Sequence, residues 1–436
     1  MPLLASVLEV LIPATGAGKA ILAAILLGAG SGLLGCFVVL RRVALMGDAI
    51  SHAVLPGVVA GLIYSPERNP LFIFLCAAMA GLLGAGLVRA LISTTRLKAD
   101  TALGIVLAFF FAFGIMWQSR NQESTAGVMN FLFGNIGAIN AADLQMMMLA
   151  TVLLCVVVFV LKRPLLVVSF DEGFSRGLGY PVRVLNGIFY FLLTFSVVVA
   201  IQAVGVVLVS AMLITPAAAA YLLTDRFGKM LVLSMTFGVI SGVVGGVVSA
   251  NVNGMPTGPV ITLAASLVFA SVYFFAPQHG VLSRLLRKTQ RRSRVRRENT
   301  LKAIYQIQEA GGFTHEDVSL IELAGKRRHT EDDARKECAA LLHYGFVELA
   351  ADDRSVRLTK SGWKRAMEMV RNHRLWELYL TNEANYAEDH VHEDAEKIEH
   401  ILGAQTVKQL EEDLDFPDLD PHGKPIPQPH LLHSVS

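Results

Sequence analysis

The segment Gly47-Asp48-Ala49-Ile50-Ser51-His52-Ala53-Val54-Leu55-Pro56 places a carboxylate and an imidazole four residues apart, between two long apolar runs. On a helix, residues i and i+4 share one face, so Asp48 and His52 can reach a common point. Ionisable side chains within or beside a membrane span are costly, and they commonly mark an ion or substrate path. An aspartate oxygen with a histidine nitrogen suits Mn²⁺, Fe²⁺ or Zn²⁺ better than Ca²⁺ or Mg²⁺.

A metal path is one of two interpretations of this pair. Asp48 and His52 could instead pair with each other or cap a broken helix, because pairs at this spacing are common on helices. If they bind a metal, two ligands from one chain are too few to hold it tightly. A second copy of the chain across a two-fold axis would supply four.

The composition divides the chain into a membrane part and a water-soluble part. The 436 residues are 53% hydrophobic, with a mean hydropathy of +0.51. Apolar stretches of about 20 residues, the length that crosses a bilayer, recur in residues 1–283 and are absent from 299–436. Up to Glu298 there are 22 Lys+Arg against 10 Asp+Glu, a net +12; beyond it there are 16 against 26, a net −10. We therefore predict a transmembrane domain (1–283), a basic juxtamembrane linker (284–298), a folded soluble domain (299–381) and a further helical segment with a tail (382–436).

The membrane part is expected to be all-α and polytopic, with eight or nine transmembrane helices. The count depends on 204–224, where Gln202 and Gly205 leave little room for a turn. Glycines such as Gly28 and Gly238 predict close helix packing in lipid. Arg and Lys fall in alternate connections, which places those connections and the C-terminal part in the cytoplasm and leaves the depth of Asp48 and His52 open. The predicted spans are about 17–40, 43–64, 70–93, 101–118, 141–162, 184–202, 204–224, 229–250 and 257–276.

Nothing in the sequence predicts catalysis by this chain. Thr15-Gly16-Ala17-Gly18-Lys19-Ala20 looks like the end of a phosphate-binding loop, but Ala20 stands where the Mg²⁺-binding Ser or Thr would be, and no strand precedes it. We therefore expect that this chain does not hydrolyse ATP and that a separate subunit does.

Residues about 15–283 resemble the permease subunits of ABC importers for manganese, zinc and iron. The resemblance rests on Arg41-Arg42…Gly47-Asp48-x-x-Ser51-His52-x-x-x-Pro56-Gly57, on Asp171…Gly179, and on Leu213-Ile214-x-Pro216-Ala217-Ala218. It implies that Asp48 and His52 line the metal path. It also implies that the 170–179 segment, with Asp171, Glu172, Arg176 and Gly179, is the coupling helix that docks on an ATPase. The expected partners are that ATPase, an extracytoplasmic metal-binding protein, and a second permease copy or a paralogue in the bacterial cytoplasmic membrane.

The soluble part reads as a winged helix-turn-helix. Helices are predicted at about 299–310, 318–323, 330–343 and 359–380, with a β-hairpin at 346–358. Eight of the fourteen residues in 284–297 are Arg or Lys, which favours contact with anionic lipid head groups. The would-be recognition helix, Thr330–His343, opens with three acids. DNA binding depends on phosphate neutralisation, so nucleic acid is an unfavoured partner.

Histidines and carboxylates gather toward the C-terminus. His373 and Glu377 are four residues apart, and one predicted helical face carries His392, Glu396, Glu399 and His400. Such clusters favour a first-row transition metal; a solvated acidic helix is the alternative.

Residues about 298–427 resemble the diphtheria toxin repressor and manganese transport regulator group. The resemblance implies that His373, Glu396, Glu399 and His400 bind the sensing metal, and Pro425-Ile426-Pro427 matches a tail motif of the group. Asn299 and Lys302 stand where that group has an acidic or sulfur ligand, so we expect weak metal binding. Three roles follow for this domain: a cytosolic metal gauge, a membrane-tethered transcription regulator, or a relic that only dimerises. No permanently bound cofactor is expected beyond the transported Mn, Zn or Fe.

Overall fold

The computed structural model describes residues 16–65, 69–120, 139–252, 255, 257–350, 354–382 and 403–428. The chain forms two compact units, Met1–Arg284 and Leu285–Ser436. In its described part, the first unit is built from helices only. These are α1 (Gly16–Leu40), α2 (Met46–Ala53), α3 (Leu55–Tyr64), α4 (Pro70–Thr94), α5 (Ala99–Ser119), α6 (Ala141–Phe170), α7 (Glu172–Gly177), α8 (Val182–Val204), α9 (Val206–Leu223), α10 (Phe227–Asn251) and α11 (Thr257–Phe275).

Eight segments of the described chain are long and apolar enough to cross a membrane, with α2 and α3 counted together as Met46–Tyr64. The prediction of an all-α polytopic protein is therefore confirmed. The predicted span 204–224, on which the count of nine depends, is a separate helix, but its apolar part, Leu208–Leu223, is shorter than the others. It follows α8 after one residue, because Gly205 adopts a φ of +79°, which favours glycine and separates the two helices at a single position.

Helices α1 and α10 cross with their backbones in contact. A Cβ on Gly28 would lie 2.3 Å from the carbonyl oxygen of Gly238, and a Cβ on Gly238 would lie 2.2 Å from that of Gly28. Nearby, the Ser234 hydroxyl donates to the Gly32 carbonyl at 2.6 Å. The close packing expected from the glycines is present, and this crossing has no room for a larger residue at Gly28 or Gly238.

The helix that carries Asp48 and His52 is held by a tight turn and a buried face. Arg42, with a φ of +57°, ends α1. From α2, the side chains of Met46, Ala49, Ile50 and Ala53 are buried. Val54 keeps a helical backbone, so α3 continues almost directly from α2 and begins with Leu55-Pro56. Proline suits this first turn, where its missing N–H costs no helical hydrogen bond.

The second unit contains most of α12 and a small mixed fold. Its elements are α12 (Val281–Ala310), β1 (Asp317–Ser319), α13 (Leu320–Arg327), α14 (Glu331–His343), β2 (Val347–Leu349), β3 (Ser355–Leu358), α15 (Lys360–Asn382) and α16 (Ala404–Asp413). The sheet is antiparallel in the order β1-β3-β2, with Val318 opposite Val356 and Val347 opposite Leu358.

These elements form a winged helix-turn-helix, with α13 and α14 as the helix pair and β2–β3 as the wing. The core includes Leu301, Ile304, Leu323, Leu341 and Val370. The helix predicted at 318–323 is wrong in its first two residues: residues 317–319 pair with β3 as a strand, and the helix starts at Leu320 and runs to Arg327. A three-residue strand is too short to give a recognisable alternation in sequence.

Two buried arginines fasten the tail to α15. Arg371 donates to the Pro427 carbonyl at 2.7 Å and forms an ion pair with Glu411. Arg374 donates to the Pro425 carbonyl at 2.6 Å and to Glu309 of α12 at 2.9 Å. Leu375, Leu410 and Ile426 pack together beside them. The tail is therefore part of the folded unit at residues 403–428.

Candidate metal sites

Asp48 and His52 lie on one face of α2. His52 Nε2 is 3.7 Å from Asp48 Oδ1, which is longer than a hydrogen bond. Two ligands bound at about 2.1 Å to one tetrahedral or octahedral metal would lie roughly 3.0–3.4 Å apart, so a small side-chain adjustment would let both contact one ion. The side chains are 34% and 22% exposed for Asp48 and His52. The pair is therefore positioned to act as two neighbouring ligands.

The remaining contacts of this pair leave its donor atoms available. The His52 ring meets Phe111 of α5 edge-on, with centroids 5.0 Å apart. Its buried Nδ1 has no hydrogen-bond partner within the described part of the chain. Between the two residues, the Ser51 hydroxyl donates to the Gly47 carbonyl at 2.8 Å and stays within the helix. The Nδ1 atom of His52 therefore needs a further group as its hydrogen-bond partner.

The predicted coupling segment forms α7, a short helix between α6 and α8. Asp171 caps it by accepting hydrogen bonds from the backbone N–H groups of Gly173 (2.7 Å) and Phe174 (3.0 Å). Glu172 and Arg176 form an exposed ion pair at 3.3 Å. Gly179 has a φ of +81°, a conformation that favours glycine in the turn into α8.

The exposed surface of this segment is not purely polar. Phe174 and Leu178 are 61% and 56% exposed. Sequence reasoning identified the charged residues and did not single out these two. Exposed apolar side chains rimmed by polar ones are typical of protein-docking surfaces.

In the second unit, His373 and Glu377 come together as their spacing predicts. His373 Nε2 lies 2.9 Å from Glu377 Oε1, and both side chains are buried. Lys302 Nζ lies 3.1 Å from His373 Nδ1, so an ammonium group lies against one of the two ring nitrogens that could bind a metal. The other predicted ligands, His392, Glu396, Glu399 and His400, lie outside the described residues.

A different set of ligands converges beside Glu377. One atom each from Glu377, Asp420 and His422 lies within 4.8 Å of the others, the one such group of three among the described residues. Asp420 Oδ1 accepts the backbone N–H groups of His422 (2.9 Å) and Lys424 (2.8 Å), which fixes the turn. Arg374 Nε is 3.4 Å from Asp420 Oδ2. Sequence reasoning missed Asp420 and His422; their only signal was a carboxylate and an imidazole two residues apart beside the tail motif.

The first turn of α14 is acidic in the folded unit as well. Thr330 caps the helix by accepting from the Asp333 N–H, and its hydroxyl donates to Asp333 Oδ2 at 2.7 Å. This side-chain hydrogen bond holds the pKa of the Asp333 carboxyl below its usual value. Asp332 pairs with Lys336. A helix that presents ionised carboxylates at its N-terminus is poorly suited to DNA phosphates.

Comparison with known proteins agrees with both halves of this description. Residues 17–276 match the ABC 3 transport family, and residues 359–428 match the metal binding and dimerisation domain of iron dependent repressors. The chain belongs to the ABC 3 transport family and is a multi-pass membrane permease. Both resemblances expected from the sequence are confirmed.

Individual relatives are similar over long stretches. The manganese transport system membrane protein MntC of Bacillus subtilis is 34% identical over 367 residues, which are 83% of this chain and 83% of that protein. The zinc transport system membrane protein TroC of Treponema pallidum is 37% identical over 272 residues, 62% and 91% of the two chains. The solved structure of PsaBC from Streptococcus pneumoniae in complex with Fab contains a chain that is 36% identical, with a TM-score of 0.55; 62% of this chain and 94% of that chain are covered.

Proposed function

We infer that the chain is the permease subunit of an ABC importer for a divalent first-row transition metal, and we propose Mn²⁺ as the cargo. The observation that carries the proposal is the Asp48–His52 pair, two unbonded donors 3.7 Å apart on a helix of a family permease. One oxygen and one nitrogen donor suit Mn²⁺, Fe²⁺ and Zn²⁺. The long similarity to a manganese system protein favours the first of these.

The chemistry of the site suits passage more than storage. Two donors per chain bind a cation weakly, and a cargo must leave its site as readily as it enters. A second copy or a paralogue facing the first would bring the ligand number to four. The cost of keeping Asp48 and His52 in an apolar region is then offset whenever a cation is present.

The remaining subunits of the importer follow from the family. An ATPase would dock on α7, where Phe174 and Leu178 add apolar contact to the charged Glu172 and Arg176. An extracytoplasmic binding protein would deliver the metal. ATP hydrolysis belongs to the docked subunit, and this chain supplies the path.

The test is a metal-uptake profile in cells that lack their own importer and receive this chain with its ATPase and binding protein. We expect Mn²⁺ accumulation at limiting metal, with Zn²⁺ and Fe²⁺ taken up at most one tenth as fast. Preferred uptake of Zn²⁺ or Fe²⁺ would contradict Mn²⁺ as the cargo but would still support the proposal of a metal importer. No metal-dependent uptake at all would contradict the importer.

For the second unit we propose a cytosolic gauge of the imported metal. The supporting observation is the Glu377, Asp420 and His422 group, which joins α15 to the folded tail. Two carboxylates and an imidazole suit the same metals as the membrane path. The nearby Arg374 guanidinium and the Lys302 ammonium weaken cation binding, so the gauge would fill only when cytosolic metal is plentiful. A filled gauge must favour one state of the permease to affect transport.

Replacing Asp420 or His422 by alanine tests the gauge in the full chain. We expect each variant to lose at least tenfold in Mn²⁺ affinity at the cytosolic site, and cells preloaded with metal to overaccumulate it. His315→Ala, an exposed histidine in the same unit, is the matched control. If Asp420→Ala cells stop uptake as the wild type does, the group is not a gauge.

The membrane-tethered regulator remains the second candidate function, favoured by the winged helix itself. Its decisive measurement is a gel shift of the full chain in detergent with its own promoter, with and without Mn²⁺. Because α14 opens with Glu331, Asp332 and Asp333, we expect no metal-dependent shift. A specific, metal-dependent shift would show that the second unit acts as a transcription regulator, and it would contradict the metal-gauge proposal.

A further inference from the structure

Arg41 lies at the end of α1, a short turn before the helix that carries Asp48 and His52. Its guanidinium is inserted between the two helices that flank the coupling segment. Nε donates to the Ser169 hydroxyl at 3.0 Å, in the last turn of α6, and Nη1 donates to Asn186 Oδ1 at 2.7 Å, in the first turns of α8. Cζ lies 4.0 Å from the ring centroid of buried Phe189. Charge-assisted hydrogen bonds and cation–π contact together fix this side chain.

Asn186 passes the contact on to the coupling helix. Its Nδ2 donates to Glu172 Oε1 at 2.8 Å, while its Oδ1 accepts from Arg41. The amide can face only one way, because arginine can only donate and an ionised carboxylate can only accept. Asn186 is 2% exposed, so its side chain is shielded from water at the centre of this chain of bonds, while Glu172 at the far end is partly exposed. Arg41, Asn186 and Glu172 form an unbroken hydrogen-bonded chain from α1 to the first residue of α7.

The turn that follows Arg41 is stiff. The Val43 N–H donates to the Val38 carbonyl at 3.1 Å, and the Met46 N–H donates to the Val43 carbonyl at 2.9 Å. Arg42 is in the left-handed region, a conformation that a non-glycine residue keeps only when its surroundings determine it. A displacement of Arg41 is therefore passed to α2 and not absorbed between the helices.

We infer that Arg41 is a positioning residue that transmits movement of the coupling helix to the metal path. A movement of α7 reaches Arg41 through Glu172 and Asn186. Arg41 then passes it through the 42–45 turn to Asp48 and His52. This inference rests on the proposed function of α7 as the ATPase-docking segment. The hydrogen bonds from Arg41 to Glu172 give a physical connection between the metal path and α7. Whether movement passes along it is tested by measuring how variants of these residues affect coupling.

The first test measures Mn²⁺ transported per ATP hydrolysed by the complete importer in lipid vesicles. We expect Arg41→Gln to lower this ratio at least tenfold while the Mn²⁺ affinity and the ATP hydrolysis rate stay near wild type. Arg96→Gln is the matched control, since Arg96 is exposed, lies in the same unit outside this network and has the same charge. A merely structural Arg41 would lower the folded yield and the affinity together, and that result would overturn the inference.

The second test exchanges the amide and the carboxylate. Asn186→Asp sets two carboxylates against each other and should uncouple transport. In Asn186→Asp/Glu172→Gln, the glutamine can donate to the aspartate, which still accepts from Arg41, so we expect at least half of the wild-type ratio to return. A folded double variant without recovery overturns the relay. A wild-type importer that moves no metal would instead overturn the proposed function, so the two failures are distinguishable.

Discussion

Metal uptake at limiting Mn²⁺ falls at least tenfold when Asp48 or His52 is replaced by alanine, with the amount of protein in the membrane unchanged. This is the expected result, because each replacement removes one of the two ligands that we propose for the metal path. The side chains are partly exposed, so the truncations leave no large cavity in the surrounding helices. Radioactive Mn²⁺ uptake, alongside membrane immunoblots, measures both quantities.

Two controls separate a ligand pair from a structural pair. His279→Ala removes the other histidine of the first unit, which lies in a loop beside Asp225, and should leave uptake unchanged. Asp48→Asn/His52→Gln keeps polar side chains that can form hydrogen bonds at both positions but weakens both ligands. If this double variant transports at the wild-type rate, the pair holds the helix together and the path lies elsewhere.

The second large effect is expected at the crossing of α1 and α10. Gly28→Ala would place a methyl group 2.3 Å from a backbone oxygen of α10, so the helices must separate. Overpacking of this kind costs about 1–3 kcal/mol, and more where backbone must move. We expect a loss of most folded permease, measured as the monodisperse fraction in detergent and as the thermal midpoint.

Gly30→Ala provides the comparison on the same helix with the same substitution. Its Cβ would meet only the Thr151 hydroxyl oxygen, at 3.7 Å, which is ordinary contact. The folded yield should stay near wild type. Equal loss in both variants would mean that helix flexibility, and not contact with Gly238, explains the requirement.

Much of the fold could be predicted because its signals are local. The spans follow from runs of apolar residues, and the shared face of Asp48 and His52 follows from helical spacing. The helical spacing around 330–343 and 359–380 located α14 and α15 to within a residue or two. The strand at 317–319 was missed because its pairing with β3 is set by residues about forty positions away.

The candidate sites were predicted only in part, for the same reason. Residues four apart on a helix, such as His373 and Glu377, can be paired by eye. Asp420 and His422 meet Glu377 only after the tail folds back on α15, where Arg371 and Arg374 hold it. No helical or strand spacing in the sequence connects Glu377 with Asp420 and His422.

Local patterns in the sequence were enough to predict a polytopic membrane domain, a winged-helix unit and a shared helical face for Asp48 and His52, while the permease class came from the family resemblance. Hydrophobic runs and i, i+4 spacing are properties of the chain's local geometry. The folded chain was needed to find that Lys302 lies against His373, 71 residues away, and that Arg41 reaches Asn186 across 145 residues. Those contacts depend on how the helices pack. Residues that are distant in the sequence come together only when the whole buried faces of two helices fit each other.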